Sequence, residues 1–186
     1  MSRLKIKECF FSLQGETSLV GLPTWFIRLT GCPLRCSYCD SEYAFTGGTL
    51  QLIQTLVTQA KTNGLGLVCV TGGEPLAQPA CFELLTALCD AGQQVSLETS
   101  GAIDTTAVDA RVKVILDLKT PSSQESARNM WSNLQHLKPT DEVKFVIGDR
   151  LDYDWAKQVI KQQLAGLKLN LGGCIVSPVY GRLSAT

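Results

Sequence analysis

Residues 24–39 read TWFIRLTGCPLRCSYC, a short run of alternating apolar side chains followed at once by a loop with three cysteines. The thiols of Cys32, Cys36 and Cys39 come at spacings of four and three residues. A closed tetrahedral zinc site or a fully ligated iron–sulfur cluster takes four protein ligands. Three ligands on a cubane cluster leave one iron open, and an open iron can bind a substrate or a cofactor. We therefore interpret this loop as a reactive site.

The composition limits the classes of protein to consider. The chain has 186 residues, which is enough for one domain with a hydrophobic core. Its formal net charge is zero, and no block of like charge indicates a nucleic-acid or membrane-surface partner. No run approaches the length of a membrane span, and the first residues lack the apolar region of a signal peptide. The expected location is cytoplasmic.

The other cysteines do not indicate a disulfide scaffold. The chain is too long and too apolar for a small secreted fold, and no export signal precedes it. We expect these thiols to be small buried apolar groups; they are Cys9, Cys69, Cys81, Cys89 and Cys174. The single histidine, His136, cannot build a histidine-based metal site.

Apolar strand-like runs alternate along the chain with amphipathic helix-like runs. This order favours a parallel sheet with helices outside it, and six strands indicate an α/β partial barrel related to the TIM barrel. The predicted strands are residues 24–30, 67–71, 94–98, 112–119, 142–147 and 173–177. The predicted helices are residues 50–62, 79–91, 105–110, 123–135 and 153–164.

The period of two within these strands predicts which side chains line the barrel. Helices cover the outside, so the apolar face of each strand should pack outward and the polar face inward. The polar set is Arg28, Glu98, Asp117, Lys119 and Lys144. A charged lumen is costly unless it holds a polar ligand or internal salt bridges. We favour the ligand, because several of these residues end strands, where the sites of βα barrels form.

The cysteine spacing, with Tyr38 before the last thiol, resembles that of the radical S-adenosylmethionine superfamily. The resemblance implies a [4Fe–4S] cluster on Cys32, Cys36 and Cys39, whose open iron chelates the amino and carboxylate groups of S-adenosylmethionine. One electron then breaks the sulfonium C–S bond and yields a 5′-deoxyadenosyl radical, while the protein positions the groups and excludes water. It also implies cofactor contacts from Ser37, Tyr38 and Cys39.

Further strand ends are similar to cofactor-binding segments of the superfamily. Residues 70–75 read VTGGEP, where paired glycines let a backbone approach a ligand and the Glu74 carboxylate suits an ammonium group. An ordinary strand–helix turn is the alternative. The resemblance implies that the methionine amino end binds at Gly73 and Glu74. It implies other cofactor contacts for Glu98, Ser100, Lys119, Thr120, Pro121, Ser122 and Ser177.

The N-terminal segment narrows the resemblance. FSLQGE at residues 11–16, GLPT at 21–24 and FIR at 26–28 closely resemble the 7-carboxy-7-deazaguanine synthase family of queuosine biosynthesis, a tRNA modification pathway. Such a lyase converts 6-carboxy-5,6,7,8-tetrahydropterin to 7-carboxy-7-deazaguanine with release of ammonia. Gln14 and Glu16 could pair with the donor-rich pyrimidine edge, and Arg28 could hold the substrate carboxylate. The implied substrate contacts are Leu13, Gln14, Gly15, Glu16, Arg28 and Thr71.

The family also carries a magnesium ligand two positions after the last cysteine, which corresponds to Ser41. Magnesium commonly uses few protein ligands and several waters, so one hydroxyl completed by substrate oxygen suits it. A helix cap or turn is the alternative for this position. The family further implies a homodimer and a flavodoxin-like electron donor.

The resemblance covers residues 10–178 and implies one radical SAM domain over residues 1–186. Residues 1–23 would form a substrate-side segment, and residues 24–186 a partial (β/α)6 TIM-like barrel. The chain departs from the family in three places. Thr17 replaces a common Gly, Asp117-Leu118-Lys119 stands where several relatives carry Ser-Pro-Lys, and a C-terminal segment with a Gln-x-His-Lys-like motif is missing.

Two other functions stay open. A glycyl-radical-enzyme activase shares the cysteine spacing and the Gly-Gly-Glu segment, although residues 14–16 and Arg28 argue against it. A non-catalytic zinc-binding module is an alternative of another class, but zinc motifs usually pair two sets of cysteines and no second close pair exists here. Iron and sulfide content after anaerobic reconstitution would separate zinc from a cluster.

Overall fold

The structure is a computed structural model that describes residues 2–167 and 173–183. Its strands are β1 (Arg3–Leu13), β2 (Pro23–Leu29), β3 (Thr49–Leu52), β4 (Leu67–Gly72), β5 (Gln94–Thr99), β6 (Lys113–Asp117), β7 (Glu142–Ile147) and β8 (Cys174–Pro178). Its α-helices are α1 (Ile53–Thr62), α2 (Ala80–Asp90) and α3 (Arg150–Val159), and a π-helical turn at Ile160–Leu164 extends α3. The strands form a sheet in the order β3-β1-β2-β4-β5-β6-β7-β8.

The parallel part of the sheet agrees with the sequence prediction. Strands β2, β4, β5, β6, β7 and β8 are neighbours in this order, and each adjacent pair among them is parallel. Parallel neighbours need crossover connections, and α1, α2 and α3 supply helices to these crossovers. The carboxyl ends of the parallel strands therefore meet at one edge of the sheet. The predicted partial α/β barrel is confirmed, with β3 and β8 as its edges in the described part of the chain.

The N-terminal region adds two strands that the sequence analysis did not predict. Strand β1 runs antiparallel to β2, and β3 runs antiparallel to β1. Residues 50–52, predicted as the start of a helix, belong to β3 instead. Leu50 and Leu52 pair with Lys5 and Arg3 of β1, so the helix begins only at Ile53.

Two predicted helices are wrong because short polar side chains capture the backbone. Residues 105–110 form turns in which the carboxylates of Asp104 and Asp109 accept from the N–H groups of Thr106 and Arg111. Residues 123–135 form separate 3₁₀ turns rather than one helix. There the Asn133 amide donates to the carbonyls of Gly101 and Ile103.

The faces of the strands follow the predicted period of two. Ile27, Leu29 and Leu97 are fully buried in a cluster with α1 and α2, and Leu116 and Phe145 are fully buried in a cluster with α3. Burial of each such side chain contributes about 1.5–3 kcal/mol. The intervening residues, among them Arg28, Glu98, Asp117 and Lys144, point to the inside.

The β1–β2 loop (residues 14–22) lies at the amino end of β2, because β1 runs antiparallel to that strand. The Ser18 N–H donates to the Glu142 carboxylate at 3.3 Å, and Lys113 Nζ donates to Ser18 Oγ at 2.8 Å. Lys113 also pairs with Glu142 at 2.6 Å. Both residues begin their strands, so this contact ties the loop to the amino ends of β6 and β7. None of the helices in residues 2–167 and 173–183 has the length and apolar character needed to cross a bilayer.

Asp152 joins helix α3 to the loop that follows β6. Its buried carboxylate accepts hydrogen bonds from Ser122 N at 2.9 Å, from Gly148 N at 2.8 Å and from the Ser122 hydroxyl. Burial alone would raise the pKa of Asp152, but the hydrogen bonds from Ser122 and Gly148 outweigh it and the pKa is lowered. The ionised form is therefore the one that stabilises the fold.

We expect Asp152→Asn to lower the free energy of unfolding by about 1–3 kcal/mol near neutral pH, because the carboxylate that accepts these hydrogen bonds is lost. A carboxyl with a lowered folded pKa stabilises the protein above its unfolded pKa of about 3.9. That contribution disappears as the pH falls through the folded pKa. Urea unfolding should therefore show the difference between wild type and variant shrinking below about pH 4.

The matched control is Asp154→Asn, on the same helix. Asp154 is exposed and pairs only with Arg150 among the described residues, so its loss should leave the free energy of unfolding nearly unchanged. Equal losses in the two variants, or a pH-independent loss in Asp152→Asn, would contradict the role of the buried carboxylate.

Candidate active site

A cavity of about 570 Å³ opens at the carboxyl ends of the parallel strands. Its wall is formed by the β1–β2 loop, the cysteine loop (residues 31–40), the ends of β4, β5 and β6, and residues 177–180. Most of the predicted site residues meet there. They are Gln14, Gly15, Glu16, Arg28, Cys32, Cys36, Tyr38, Cys39, Ser41, Thr71, Gly73, Glu98, Ser100, Lys119 and Ser177.

The remaining predicted residues do not form part of the cavity wall: Leu13, Ser37, Glu74, Thr120, Pro121 and Ser122. The Leu13 side chain is exposed on the hairpin, whereas Glu74 and Thr120 are fully buried. A direct ligand contact for these residues stays a prediction. The structure gives several of them a different task, which is to hold the loops that do form the wall.

Gly73 lies against the cysteine loop without room for a side chain. A Cβ atom at this position would lie 2.4 Å from the Gly31 carbonyl oxygen and 2.8 Å from Cys32 Cβ. The neighbouring Glu74 N–H donates to the same Gly31 oxygen at 2.8 Å. The second glycine of the pair is therefore required for backbone packing that sets the cysteine loop beside the end of β4.

Glu74 fixes the turn that follows β5. Its carboxylate is fully buried and accepts from Leu76 N at 2.9 Å, Ser100 N at 2.7 Å and Ser100 Oγ at 2.5 Å. The Thr99 hydroxyl lies within 3.0 Å of both carboxylate oxygens. These neutral donors satisfy the buried charge. Glu74 thereby holds Ser100, which does form part of the cavity wall.

A second set of contacts ties the cysteine loop to the latch loop (residues 120–125). Ser37 donates to Ser123 O through its backbone at 3.0 Å and to Ser122 O through its hydroxyl at 2.6 Å. The Tyr38 hydroxyl lies 3.2 Å from Thr120 Oγ1. The predicted residues Ser37, Thr120 and Ser122 thus shape the loop that carries the thiols.

The three thiols share one cavity wall. Burial raises the pKa of Cys32 and raises the pKa of Cys36 to about 11, although the nearby Lys119 ammonium acts in the opposite direction on both. A bound metal would be needed to keep these groups as thiolates near neutral pH. Within the described ranges, no three His, Cys, Asp or Glu side chains are grouped closely enough to hold a single ion. A cubane cluster binds its thiolates at separate corners, and the three thiols that line this cavity match that set of donors.

Three further polar side chains that line the cavity form a connected group. Gln14 Nε2 donates to Glu98 Oε1 at 3.2 Å, and Thr71 Oγ1 donates to Glu98 Oε2 at 3.0 Å. Glu98, predicted among the cofactor contacts, therefore lies with two residues predicted to bind substrate. The group offers acceptor and donor atoms side by side, as the edge of a heterocycle requires.

Arg28 lies in a group whose other members the sequence analysis missed. Its Nε pairs with Glu8 Oε1 at 2.9 Å, and its guanidinium carbon lies 5.6 Å from the Phe10 ring centre and 5.8 Å from that of Tyr43. The Tyr43 hydroxyl donates to Glu8 at 2.7 Å, and this bond, with the Arg28 contact, lowers the pKa of Glu8. These contacts fix the orientation of Arg28 through Nε.

The missed residues had a signal in the sequence. Phe10 and Ser12 alternate along β1 and both line the cavity, and Glu8 stands opposite Arg28 in the strand register. The alternation holds only after the irregular pairing between Ile6 and Glu8, so it groups Glu8, Phe10 and Ser12 on one face, and the pairing with β2 makes that face the inner one.

Two further groups of polar side chains contribute to the wall. Ser41 Oγ donates to Asp40 Oδ1 at 2.9 Å, so a hydroxyl and a carboxylate lie together next to the last cysteine. Asp117, Lys119 and Lys144 form what we call the floor of the cavity. There Asp117 Oδ2 lies 3.0 Å from Lys119 Nζ and 3.6 Å from Lys144 Nζ. Burial alone would lower the pKa of each lysine, but Asp117 outweighs it and both pKa values are raised.

Comparisons with known proteins agree with this geometry. Residues 26–162 match the family model of the radical SAM superfamily. A protein of Koribacter versatilis named 7-carboxy-7-deazaguanine synthase is 41% identical over 95% of this chain and 78% of its own length. One of the same name from Chlorobaculum tepidum is 43% identical over 97% of this chain and 82% of its own length. The crystal structure of QueE from Escherichia coli, 22% identical, has the same fold with a TM-score of 0.79 over 96% of this chain and 85% of that chain.

We expect Gly73→Ala to displace the cysteine loop, because its Cβ would overlap backbone at Gly31. Iron and sulfide bound per chain after anaerobic reconstitution should fall to less than about half of the wild-type value. Gly166→Ala is the matched control, since a Cβ at Gly166 meets nothing within 4 Å. Iron binding by a folded Gly73→Ala protein that equals the control would contradict this packing argument.

Proposed function

Because this chain belongs to the radical SAM superfamily and, within it, to the 7-carboxy-7-deazaguanine synthase family, we propose that it converts 6-carboxy-5,6,7,8-tetrahydropterin to 7-carboxy-7-deazaguanine with release of ammonia. One observation carries the proposal beyond the relatives' names. A single cavity is lined both by the three thiols and by the hydrogen-bonded group of Gln14, Thr71 and Glu98. A cofactor held by the thiols and a ligand bound by that group would share this cavity.

Cys32, Cys36 and Cys39 would hold the [4Fe–4S] cluster, and the backbone at Gly73 and the turn at Ser100 would receive S-adenosylmethionine beside it. When bound, the cluster and this cofactor supply the radical that removes a hydrogen atom from the pterin ring. The contribution of the chain is to fix the thiols through Gly73 and the latch loop. The stacked Phe10 and Phe26 rings, 5.0 Å apart, add an apolar surface that excludes water from part of the cavity.

Substrate recognition would use the two polar groups of the wall. A pterin presents several N–H donors along its pyrimidine edge, and Glu98, Gln14 and Glu16 offer acceptor oxygens at that side of the cavity. Arg28 hydrogen-bonds through Nε alone within the described residues, so its terminal nitrogens can bind the substrate carboxylate. Glu8 and Tyr43 would keep the guanidinium in place.

Magnesium would bind at Ser41. The hydroxyl lies in the cavity next to the Asp40 carboxylate, and hard oxygen donors are the ligands that this ion prefers. The remaining positions would be taken by water and substrate oxygen. Omission of magnesium and Ser41→Ala should then lower turnover in the same way, and Ser41→Thr should retain it.

The test is anaerobic turnover of cluster-loaded protein with dithionite, S-adenosylmethionine, magnesium and carboxytetrahydropterin, with product identified by mass spectrometry. The deazaguanine product is expected. Its absence from a protein that contains the cluster and binds S-adenosylmethionine would refute the proposal, and failure to bind the pterin would favour an activase. Zinc without iron or sulfide would favour the binding module.

We expect Arg28→Gln to lower kcat/KM for the carboxylated pterin by about 10- to 100-fold, the equivalent of one charge-assisted interaction. Arg150→Gln, which removes an exposed arginine at the start of α3, is the control and should leave kcat/KM unchanged. Equal kcat/KM values for Arg28→Gln and wild type would show that the carboxylate binds elsewhere.

The family also implies a homodimer, a flavodoxin-like electron donor and a cytoplasmic location, and all three remain proposals. The molar mass in solution tests the first, and replacement of dithionite by reduced flavodoxin tests the second.

A further inference from the structure

We propose that Lys144 is a positioning residue that holds Glu16 in the cavity, and that it determines affinity for the substrate without contacting it. The inference rests on the proposed function, because it concerns how the heterocycle of the substrate would be recognised.

The Glu16 side chain is an exposed position of the β1–β2 loop, between the buried residues Gln14 and Thr17. A Cβ at the preceding Gly15 would meet nothing within 4 Å, and the Glu16 side chain is 47% exposed. The next residue, Thr17, is buried and accepts from Leu19 N at 3.0 Å, and Ser18 N–H donates to the Glu142 carboxylate. The carboxylate of Glu16 pairs with the ammonium of Lys144, which comes from the inner face of β7 and is only 12% exposed. This ion pair therefore fixes the Glu16 carboxylate, whereas the backbone on either side is held by other contacts.

Lys144 is itself held from the opposite side. Asp117 Oδ2 lies 3.6 Å from Lys144 Nζ and 3.0 Å from Lys119 Nζ, so one carboxylate oxygen faces two cations. The other oxygen, Oδ1, is buried and has no hydrogen-bond partner among the described residues. Asp117 thus orients Lys144 while leaving its ammonium free to bond to Glu16.

The charges on the floor of the cavity argue against a direct substrate contact by Lys144. Its ammonium lies between the carboxylates of Glu16 and Asp117, and binding of the substrate carboxylate there would bring a third anion to the same place. Arg28 pairs with Glu8 alone within the described ranges and has nitrogen atoms to spare, so it is the better partner for that group. A cation shared by two carboxylates is better suited to set their positions.

The experiment measures pterin affinity by anaerobic calorimetry on cluster-loaded protein with S-adenosylmethionine. The ligands are 6-carboxytetrahydropterin and 6-methyltetrahydropterin, which keeps the pyrimidine edge but lacks the carboxylate. We expect Lys144→Met to weaken binding of both ligands by about tenfold. Glu16→Gln should do the same, and the double variant should lose no more than Glu16→Gln alone, because Lys144 acts through Glu16.

Lys138→Met is the matched control, since Lys138 pairs with the buried Asp141 away from the cavity. It should leave both affinities unchanged. Lys144→Arg keeps the charge and should bind both ligands within about threefold of wild type, which keeps the test valid if the methionine variant does not fold. Melting temperatures identify any variant whose loss is structural.

Several results would overturn the inference. A loss confined to the carboxylated ligand would make Lys144 a direct substrate ligand, and unchanged affinity in Lys144→Met would remove its role. Additive losses in the double variant, or a tenfold loss in folded Lys144→Arg, would break its link to Glu16. Wild-type protein that binds neither pterin would refute the proposed function, and the inference with it.

Discussion

The site depends on a backbone contact that leaves no space for a side chain. Gly73 at the end of β4 meets the carbonyl of Gly31, and this contact places the cysteine loop against the strand ends. Glu74 then secures the next turn from within the core through Leu76, Thr99 and Ser100. The glycine pair and the following acid therefore join the two sides of the cavity. The Gly-Gly-Glu motif, which the sequence analysis expected to bind a ligand, therefore holds the loops of the site in place.

The charged side chains inside the barrel pair with one another, but the pairs do not use all of their polar atoms. Ion pairs account for part of the cost, as between Arg28 and Glu8 and between Lys119 and Asp117. Some polar atoms have no hydrogen-bond partner among the described residues, such as the terminal nitrogens of Arg28 and Oδ1 of Asp117. Internal salt bridges and ligand binding, set against each other in the sequence analysis, are therefore compatible. The pairs orient the groups, and the remaining atoms face the cavity or its floor.

The parallel barrel and most of the cavity wall could be predicted from the sequence, because both follow from local patterns. Alternation within 24–30 and 112–119 put Arg28 and Asp117 inside, and motifs at strand ends met where parallel strands must end. The failures have physical causes of longer range. The pairing of β1 with β2 decides which face of β1 lies inside the barrel. Asn133 bonds to carbonyls about 30 residues away, and these bonds favour turns over the predicted helix. Neither effect is visible in a short window.

The latch between the cysteine loop and residues 120–125 has a consequence for the order of events during synthesis. Arg35 and Ser37 take partners 85–90 residues further along the chain, at Glu125 and Ser122. Closing a contact over such a separation requires that residues 120–125 have left the ribosome. The thiols thus reach their final arrangement only after these residues have been synthesised, and iron that arrived earlier would meet an incomplete site. A cluster held by all three thiols in this arrangement would therefore form only after residues 120–125 have joined the fold.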